Sequence, residues 1–256
     1  MNNIINNYKV FQMDLKNNES SLDKDTNKIL EIEKIYVINL KSDTVRREYI
    51  KVLMKKLNLD FKLVIVDKLD LSTYYSVIKF QNNEKKMNKA EAGCYLSHMW
   101  CLNDILKNNY KKAIVFEDDI VVHKDWNNLF NNIVFQKEYD FLLLGAADYA
   151  FNIGNKHLIK KNIYIPNKGP VLGAHALYYS NLGAKKIFEY KLSNPNYFDY
   201  DFLKVFNFFD KEKTGICVPN IFTVENTSTN INHNFGISKY DLNNFYYRNC
   251  YENFNF

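Results

Sequence analysis

The stretch Ala113-Ile114-Val115-Phe116-Glu117-Asp118-Asp119 joins an apolar run directly to three consecutive acids. Four apolar residues in a row, rich in strand-forming side chains, are typical of a strand that is buried on both faces. Adjacent carboxylates repel one another, so they cost stability unless a cation lies nearby. The stretch therefore predicts a buried strand that ends at a charged edge.

Segments of the same kind lie on both sides of this stretch. Apolar runs predict further strands, and amphipathic patterns predict helices between them. The predicted strands are Ile35–Leu40, Phe61–Val66 and Phe141–Gly145; the predicted helices begin at Asp43 (with Val45, Tyr49, Val52, Leu53 and Leu57 inward), span Ala90–Lys107, and lie near Trp126–Phe135. This alternation predicts an α/β fold with a mostly parallel central sheet flanked by helices, whose sites lie at the carboxyl ends of strands.

The second half of the chain has a less regular pattern. Residues Val171–Tyr179 predict a strand, Asn181 a helix N-cap, and Leu182–Tyr190 the helix itself. A helix near Asp201–Phe209 and a strand at Ile216–Val218 follow. We expect these elements to complete the same domain.

Local composition divides the chain into three parts. Residues 1–33 are rich in Asn, Lys, Asp and Ser without periodicity, so we expect a polar leader that is mobile or loosely docked. Residues 34–235 hold the predicted elements and form one domain. Residues 236–256 form an aromatic and Asn-rich tail, which we expect to pack on the domain or on a partner.

The overall composition is that of a water-soluble globular protein. The 256 residues are 46% apolar and 25% charged, which excludes collagen-like, fully disordered and disulfide-scaffold proteins. A net charge of 34 − 29 = +5, spread along the chain, permits nucleic-acid binding without indicating it. No apolar run approaches the roughly 20 residues of a membrane span, and no secretory signal pattern opens the chain, so we expect a cytoplasmic protein.

The three acids after the buried strand predict a site for a hard divalent cation, Mg²⁺ or Mn²⁺. In an extended segment side chains alternate, so Glu117 and Asp119 are expected on one side and Asp118 on the other. We expect Asp119 to bind the metal, with Glu117 helping directly or through water, so that the ion neutralises a departing diphosphate. The alternative is a solvated acidic turn that caps the next helix.

Cys94, His98 and Cys101 fall at i, i+4 and i+7 of the predicted second helix. This spacing places them on one helix face, where a zinc site would still need a fourth ligand. Tyr95 and Leu102 share that face, so the alternative is a buried helix in which cysteine acts as a small apolar residue.

Four short motifs follow one another along the chain. They are Ile35-Tyr36-Val37-Ile38-Asn39-Leu40 with Arg46-Arg47, then Glu91-Ala92-Gly93-Cys94-Tyr95-Leu96-Ser97-His98, then Phe116-Glu117-Asp118-Asp119, and last Gly173-Ala174-His175-Ala176-Leu177-Tyr178-Tyr179-Ser180 leading into Gly183-Ala184-Lys185-Lys186. In this order, the region from residue 34 to residue 235 resembles glycosyltransferase family 25, which contains lipooligosaccharide and procollagen galactosyltransferases. The resemblance implies a GT-A-like fold, a UDP-galactose or UDP-glucose donor, Mn²⁺ or Mg²⁺, and inversion at the anomeric carbon.

The resemblance also implies residues for donor binding. Asn39, with Arg46 or Arg47 in the next turn, would meet the uridine and its phosphates, because arginine gives phosphate paired donors. Ser97 and His98 would bond the ribose or the diphosphate, beside the acids Glu117 and Asp118. The alternatives are a solvated helix face for one of the two arginines and a core histidine for His98.

Inversion needs a base that removes the proton of the acceptor hydroxyl. Asp199 is the first candidate and Asp201 the second, since the family has an acid between its "HAY"-like strand and its last catalytic loop; Asp148 is a weaker candidate. The alternative for Asp199 is an N-cap of the helix that follows. His233 is expected to reach the metal from a closing loop, or else to be solvated.

The expected function is therefore metal-dependent, inverting transfer of a hexose from a UDP-sugar to a glycan, a lipid-linked sugar or a protein. Peripheral membrane contact is compatible with a lipid-linked acceptor. A Mg²⁺-dependent phosphoryl-transfer enzyme would use the same acids, but Asn39-Leu40-Lys41-Ser42 offers neither a phosphate-binding glycine loop nor an aspartyl nucleophile. A non-catalytic glycan- or nucleic-acid-binding module is the alternative from another class, supported by the net charge and the aromatic content.

Overall fold

A mixed sheet with helices on both faces organises the chain. The computed structural model describes residues 10–15, 31–66, 89–146, 159–160, 162–166, 171–194 and 202–224. Its strands are β1 (Val10–Leu15), β2 (Lys34–Leu40), β3 (Phe61–Val66), β4 (Lys112–Glu117), β5 (Ile120–Val122), β6 (Phe141–Leu143), β7 (Ile159–Lys160), β8 (Ile163–Tyr164), β9 (Ala176–Ser180), β10 (Thr214–Cys217) and β11 (Phe222–Val224). Its helices are α1 (Thr44–Lys56), α2 (Lys89–Lys107), α3 (Trp126–Ile133), α4 (Asn181–Ser193) and α5 (Phe202–Phe206).

The order of the strands in the main sheet is β1-β3-β2-β4-β9-β6-β10-β8-β7. Strands β3, β2 and β4 are mutually parallel, and so are β6 and β10. Strand β9 lies antiparallel between β4 and β6, so that β2, β3, β4, β6 and β10 all run in one direction. The prediction of an α/β fold with a mostly parallel sheet flanked by helices is confirmed.

Each face of the sheet buries its own apolar core. Along β2, Tyr36 and Ile38 face the core that includes residues of α2, α4 and α5, whereas Ile35 and Val37 face the core that includes residues of α1 and α3. This two-sided burial follows from the period-two alternation of a strand whose residues from Ile35 to Ile38 are all apolar or aromatic. It fixes the positions of α1 and α2 on opposite faces, next to the ends of β2 and β4.

The predicted helices are present, with two local corrections. In α1 the buried residues are Ile50, Leu53 and Met54, whereas Val45 and Val52 are exposed. The prediction placed Val45 and Val52 inward because they are apolar. They lie on the opposite side of the helix from the buried residues, which follow an i, i+3, i+4 spacing. In α4 the N-cap is Ser180 rather than Asn181. The Ser180 Oγ accepts a hydrogen bond from the Gly183 amide at 3.0 Å, which satisfies a donor that the first helical turn leaves open.

Part of the predicted leader belongs to the main sheet. Residues 10–15 form β1, which pairs antiparallel with β3 from Val10↔Val66 to Leu15↔Phe61. The expectation of a loosely docked leader is therefore wrong for this segment. Its sequence alternates apolar and polar residues from Phe11 to Leu15, a strand pattern that the surrounding polar residues obscured.

No helix in the part of the chain that the structure describes is long and apolar enough to cross a membrane.

Candidate functional site

The site is built where the carboxyl ends of β2 and β4 lie side by side. The parallel register pairs Ile38 with Glu117, so the next residues along each strand, Asn39 and Asp118, become neighbours. The Asn39 Nδ2 donates to the Asp118 Oδ2 at 2.6 Å and to the Asp43 carbonyl oxygen at 3.0 Å. Asn39 is 1% exposed. The sheet register thus carries a strand-end amide directly onto one of the three acids.

The three acids do not alternate as an extended segment would. Strand β4 ends at Glu117, and Asp118 and Asp119 form a tight turn into β5. The Tyr49 hydroxyl from α1 donates to the Ile120 carbonyl at 2.7 Å and so holds the far end of this turn. Glu117 contacts His98 of α2, whereas Asp119 contacts Arg46 of α1. The expectation that these two acids point the same way is wrong, because the turn interrupts the period-two alternation of the strand.

Arg46 pairs with both acids of the turn. It lies in the first turn of α1, where the Asp43 side chain accepts its backbone N–H at 3.1 Å. One guanidinium nitrogen, Nη1, lies 3.3 Å from the Asp118 Oδ1 and 3.3 Å from the Asp119 Oδ2. The N-cap of α1 therefore sets the position from which Arg46 reaches the acids.

Arg47 points to the same region but has different partners. Its Nε donates to the Asn39 Oδ1 at 2.7 Å, and its Nη2 donates to the carbonyl oxygens of Leu40 and Lys41 at 3.2 and 2.6 Å. The two adjacent arginines thus have different roles. Arg46 neutralises carboxylates, and Arg47 stabilises the turn between β2 and α1. The sequence-based alternative of a solvated helix face applies to neither guanidinium.

Glu117 is turned toward α2 on the other face of the sheet. Its Oε1 lies 3.0 Å from the His98 Nε2 and 3.3 Å from the Cys94 Sγ. Burial acts to raise the pKa of Glu117, but the hydrogen bond and the charge of His98, helped by His175 and Cys94, outweigh it and lower that pKa. Glu117 is therefore held as a carboxylate.

His175 lies behind Glu117 and was assigned no role from the sequence. Its carbonyl oxygen accepts the Glu117 backbone N–H at 2.9 Å, and its ring Nε2 lies 3.4 Å from the Phe222 carbonyl oxygen. Burial lowers the pKa of His175 to about 4, although the charge of Glu117 opposes this shift. The imidazole is accordingly neutral at physiological pH. In the sequence, the signal for His175 was its position within the motif that begins at Gly173.

Among the described residues, Asp118 and Asp119 have one ion-pair partner between them, Arg46. Burial is the main reason that the pKa of Asp119 rises to about 7, and the charge of Glu117 adds to it. Burial also raises the pKa of Asp118 to about 6, although Asn39 and Arg46 oppose the shift. The Asp119 Oδ1 is buried and has no hydrogen-bond partner among the described residues. A buried acceptor without a donor is costly, so a hydrogen-bond donor or a cation at this atom would stabilise the turn.

The structure brings together most, though not all, of the predicted site. Asn39, Arg46, Arg47, Asp118 and Asp119 form one connected network, and Glu117 joins His98 on its other side. Asn39 uses its amide on protein partners, which makes it a positioning residue for Asp118 and Arg47.

Ser97 is a predicted site residue that the structure places outside this network. Ser97 is buried within α2, and its hydroxyl donates to the Gly93 carbonyl at 2.6 Å. Asp148, Asp199, Asp201 and His233 lie outside the described residues.

The cysteines and the histidine that were predicted to share one face of α2 lie in two different environments. Among the described residues, Cys94, His98 and Glu117 are the set of three whose ligand atoms converge, all within 4.8 Å of one another. Cys101 lies in the apolar core instead, where burial raises the pKa of its thiol. The sequence spacing identified Cys94 and His98, but the third member, Glu117, comes from a strand and was not separable from its acidic neighbours.

Comparison with known proteins yields three findings. Residues 32–194 match the sequence model of the family described as "Glycosyltransferase family 25 (LPS biosynthesis protein)". "Procollagen galactosyltransferase 1-A" of Xenopus laevis is 30% identical over 101 residues, which cover 36% of this chain and 16% of that relative's length. A crystal structure titled as a glycosyltransferase involved in the glycosylation of the major capsid of PBCV-1 is similar with a TM-score of 0.42 at 8% identity, over 77% of this chain and 94% of the other.

Proposed function

Because this chain belongs to glycosyltransferase family 25, we propose that it transfers a hexose, galactose or glucose, from a UDP-sugar to an acceptor hydroxyl. The observation that carries the proposal is the uncompensated charge at the end of β4: Asp118 and Asp119 share one guanidinium, and the buried Asp119 Oδ1 has no partner among the described residues. Family membership favours this function over the phosphoryl-transfer enzyme and the non-catalytic binding module.

The donor set of the turn fits a hard divalent cation. Carboxylate oxygens are the ligands that Mn²⁺ and Mg²⁺ prefer, and a bound cation would give the Asp119 Oδ1 the partner it lacks. Asp119 would hold the ion with help from Asp118, which Asn39 orients through the 2.6 Å hydrogen bond. The ion would supply neutralisation of the negative charge that develops on the departing diphosphate. His233 stays a proposed further ligand.

Arg46 has two partners in this proposal. In the ligand-free protein it pairs with Asp118 and Asp119, which are the same carboxylates that a cation needs. A guanidinium also matches the oxygens of a diphosphate, and Arg46 lies at the N-terminus of α1, where phosphate groups bind favourably. We therefore assign Arg46 to the carboxylates in the free protein and to the diphosphate in the donor complex.

Glu117 and His98 change the electrostatics at Asp119. The lowered pKa of Glu117 keeps its negative charge next to Asp119, and this charge raises the pKa of Asp119. The effect increases the gain from binding a cation at Asp119, because the ion then stabilises a carboxylate that the protein alone destabilises. His98 lies 3.0 Å from Glu117, and its predicted contact with the ribose or diphosphate stays a prediction.

Inversion requires a base on the acceptor side, and Asp199 remains the proposed one, with Asp201 and Asp148 as alternatives. A glycan, a lipid-linked sugar or a protein hydroxyl is the proposed acceptor, and a cytoplasmic location stays a prediction. The matched region spans 16% of the length of the procollagen relative, so that relative's substrates serve as a guide to the assays alone.

A donor screen tests the proposed function. The purified chain is incubated with UDP-galactose, UDP-glucose and a matched set of CMP- and GDP-sugars, and nucleotide release is measured with Mn²⁺ and with EDTA. We expect release from a UDP-hexose that requires the metal. An Asp199→Asn variant should bind UDP normally and lose transfer to an added acceptor. Release that is equal with EDTA, or the absence of UDP binding, would contradict the proposal.

A further inference from the structure

Cys94 and His98 face Glu117 from one side of α2. They are one helical turn apart, so both side chains leave the helix in the same direction. The Cys94 Sγ lies 3.3 Å, and the His98 Nε2 3.0 Å, from the same oxygen of Glu117, Oε1. The three ligand atoms lie within 4.8 Å of one another. His98 is 1% exposed at its side chain and Glu117 28%, so the cluster is covered on the core side and open on the other.

The chemistry of these three groups is that of a transition-metal ligand set. Zinc in proteins binds thiolate, imidazole and carboxylate at about 2.0–2.3 Å, which places neighbouring tetrahedral ligands about 3.4–3.6 Å apart. The observed separations of 3.0 and 3.3 Å need to widen by only a few tenths of an ångström. We propose that Cys94, His98 and Glu117 form a zinc site, distinct from the carboxylates of Asp118 and Asp119, with a fourth coordination position left open.

A thiolate and an imidazole distinguish this cluster from the acids of the turn. Sulfur and nitrogen ligands select zinc, whereas Mg²⁺ and Mn²⁺ prefer sites made of oxygen atoms alone. Binding is balanced in charge: the thiol of Cys94 releases its proton to solvent, and the thiolate and the Glu117 carboxylate together offset the two positive charges of the ion. Imidazole binds a metal ion as a neutral ligand, so His98 would release any proton on its coordinating nitrogen to solvent and add no charge to the complex.

The proposed site would join two elements that carry the rest of the functional residues. Cys94 and His98 belong to α2, and Glu117 is the last residue of β4, directly before Asp118. A metal at this point would fix the end of β4, and with it the start of the acidic turn. This inference does not depend on sugar transfer, because it rests on the contacts of Glu117 alone.

Cobalt titration of the metal-free full-length protein provides the test. Co²⁺ occupies zinc sites and reports thiolate ligation by a charge-transfer absorption in the near ultraviolet. We expect this band to saturate at a single equivalent of Co²⁺ and to disappear on addition of Zn²⁺. It should be lost in Cys94→Ala, with affinity reduced by about a hundredfold or more. The control is Cys101→Ala, which removes a buried cysteine on the same helix outside the cluster and should keep the band.

A second measurement needs no variant. X-ray absorption of the zinc-loaded wild-type protein should show a sulfur neighbour at about 2.3 Å together with nitrogen and oxygen neighbours. The proposal is overturned if that spectrum contains nitrogen and oxygen shells alone, if wild type gives no charge-transfer band, or if the band survives in Cys94→Ala. Neither measurement uses a nucleotide or Mn²⁺, so failure here leaves the proposed transferase function as a separate question.

Discussion

Two clusters of charged residues lie beside strand β2, and they differ in how well their charges balance. One joins β2 and β3 to the helix α2, and the other lies at the carboxyl ends of β2 and β4. In the lysine cluster (Lys62, Asp104 and Tyr36), the Lys62 Nζ lies 3.2 Å from the Asp104 Oδ2, and the Tyr36 hydroxyl donates to the same oxygen at 2.8 Å. The Lys62 Nζ also lies 5.2 Å from the centre of the Trp100 ring. One carboxylate faces one ammonium group, so the charge is matched.

In the acidic turn (Asp118 and Asp119, directly after Glu117), two carboxylates share the guanidinium of Arg46. Burial raises the pKa values of both aspartates, and the charge of the neighbouring Glu117 adds to this shift. The contrast separates two uses of buried charge. A matched cluster joins a helix to a strand and is complete as it stands, whereas an unmatched one stores an electrostatic cost that a bound cation relieves.

The largest difference is expected from neutralising one acid in each cluster. Asp104→Asn should lower the free energy of unfolding by about 3 kcal/mol, because it leaves the nearly buried Lys62 ammonium without its partner charge. Asp119→Asn should leave the metal-free protein as stable as wild type or more so, and should lower kcat/KM for sugar transfer by about a hundredfold or more. Urea unfolding and initial-rate kinetics measure the two effects. Equal destabilisation by both variants would remove the distinction between the clusters.

A smaller effect is expected from the two arginines. Arg46→Gln frees Asp118 and Asp119 from their protein cation, so affinity for Mn²⁺ in the absence of nucleotide should rise by about tenfold while affinity for UDP falls. Calorimetric titration measures both. Arg47→Gln is the matched control: it should lower stability by about 1–2 kcal/mol through the lost bonds to Asn39, Leu40 and Lys41, and leave Mn²⁺ affinity unchanged. An unchanged Mn²⁺ affinity in Arg46→Gln would show that arginine and cation do not compete.

The smallest effect concerns pH. The pKa of Asp119 rises from 3.8 to about 7 and that of Asp118 to about 6, so between pH 4 and pH 7 the folded protein keeps protons that the unfolded chain releases. Their contribution to the free energy of unfolding therefore falls as pH rises through this window. His175, whose folded pKa is about 4, contributes in the opposite direction.

The wild type and Asp119→Asn share His175, so their difference isolates the aspartate. In EDTA, the melting temperature of wild type should fall relative to that of the variant by a few degrees from pH 5 to pH 8. Thermal unfolding followed by circular dichroism gives this difference. A constant difference across the range would mean that Asp119 is already compensated, contrary to the account of the acidic turn.

The fold was largely predictable because its central strands are apolar on both faces. The run from Ile35 to Leu40 and the run from Ala113 to Phe116 identify buried parallel strands without further information. Strand β1 could not be recognised from the sequence, because its alternating pattern spans only Phe11 to Leu15 within a polar segment. The predicted N-cap of α4, Asn181, is one residue past the observed one, Ser180. Both residue types cap helices well, and the backbone conformation decides between them.

The candidate site was predictable in its residues and less so in its geometry. The sequence identified Asn39, Arg46 and Asp118 but offered no way to know that the sheet register pairs Ile38 with Glu117. The orientation of Glu117 depends on a turn at Asp118 and Asp119. Three consecutive acidic residues do not indicate such a turn. The cluster of Glu117 with Cys94 and His98 joins residues 23 and 19 positions apart, and such pairing is a property of tertiary packing.

The proposed function requires the acidic turn to hold a cation that binds a nucleotide diphosphate. The direct measurement is the melting temperature of wild type and of Asp119→Asn with UDP alone, Mn²⁺ alone and both together. We expect UDP with Mn²⁺ to stabilise wild type by about 2.7 kcal/mol at a hundredfold excess over Kd, and Asp119→Asn to lose the Mn²⁺-dependent part of this stabilisation. An equal shift with and without Mn²⁺, or a full shift in Asp119→Asn, would contradict this requirement.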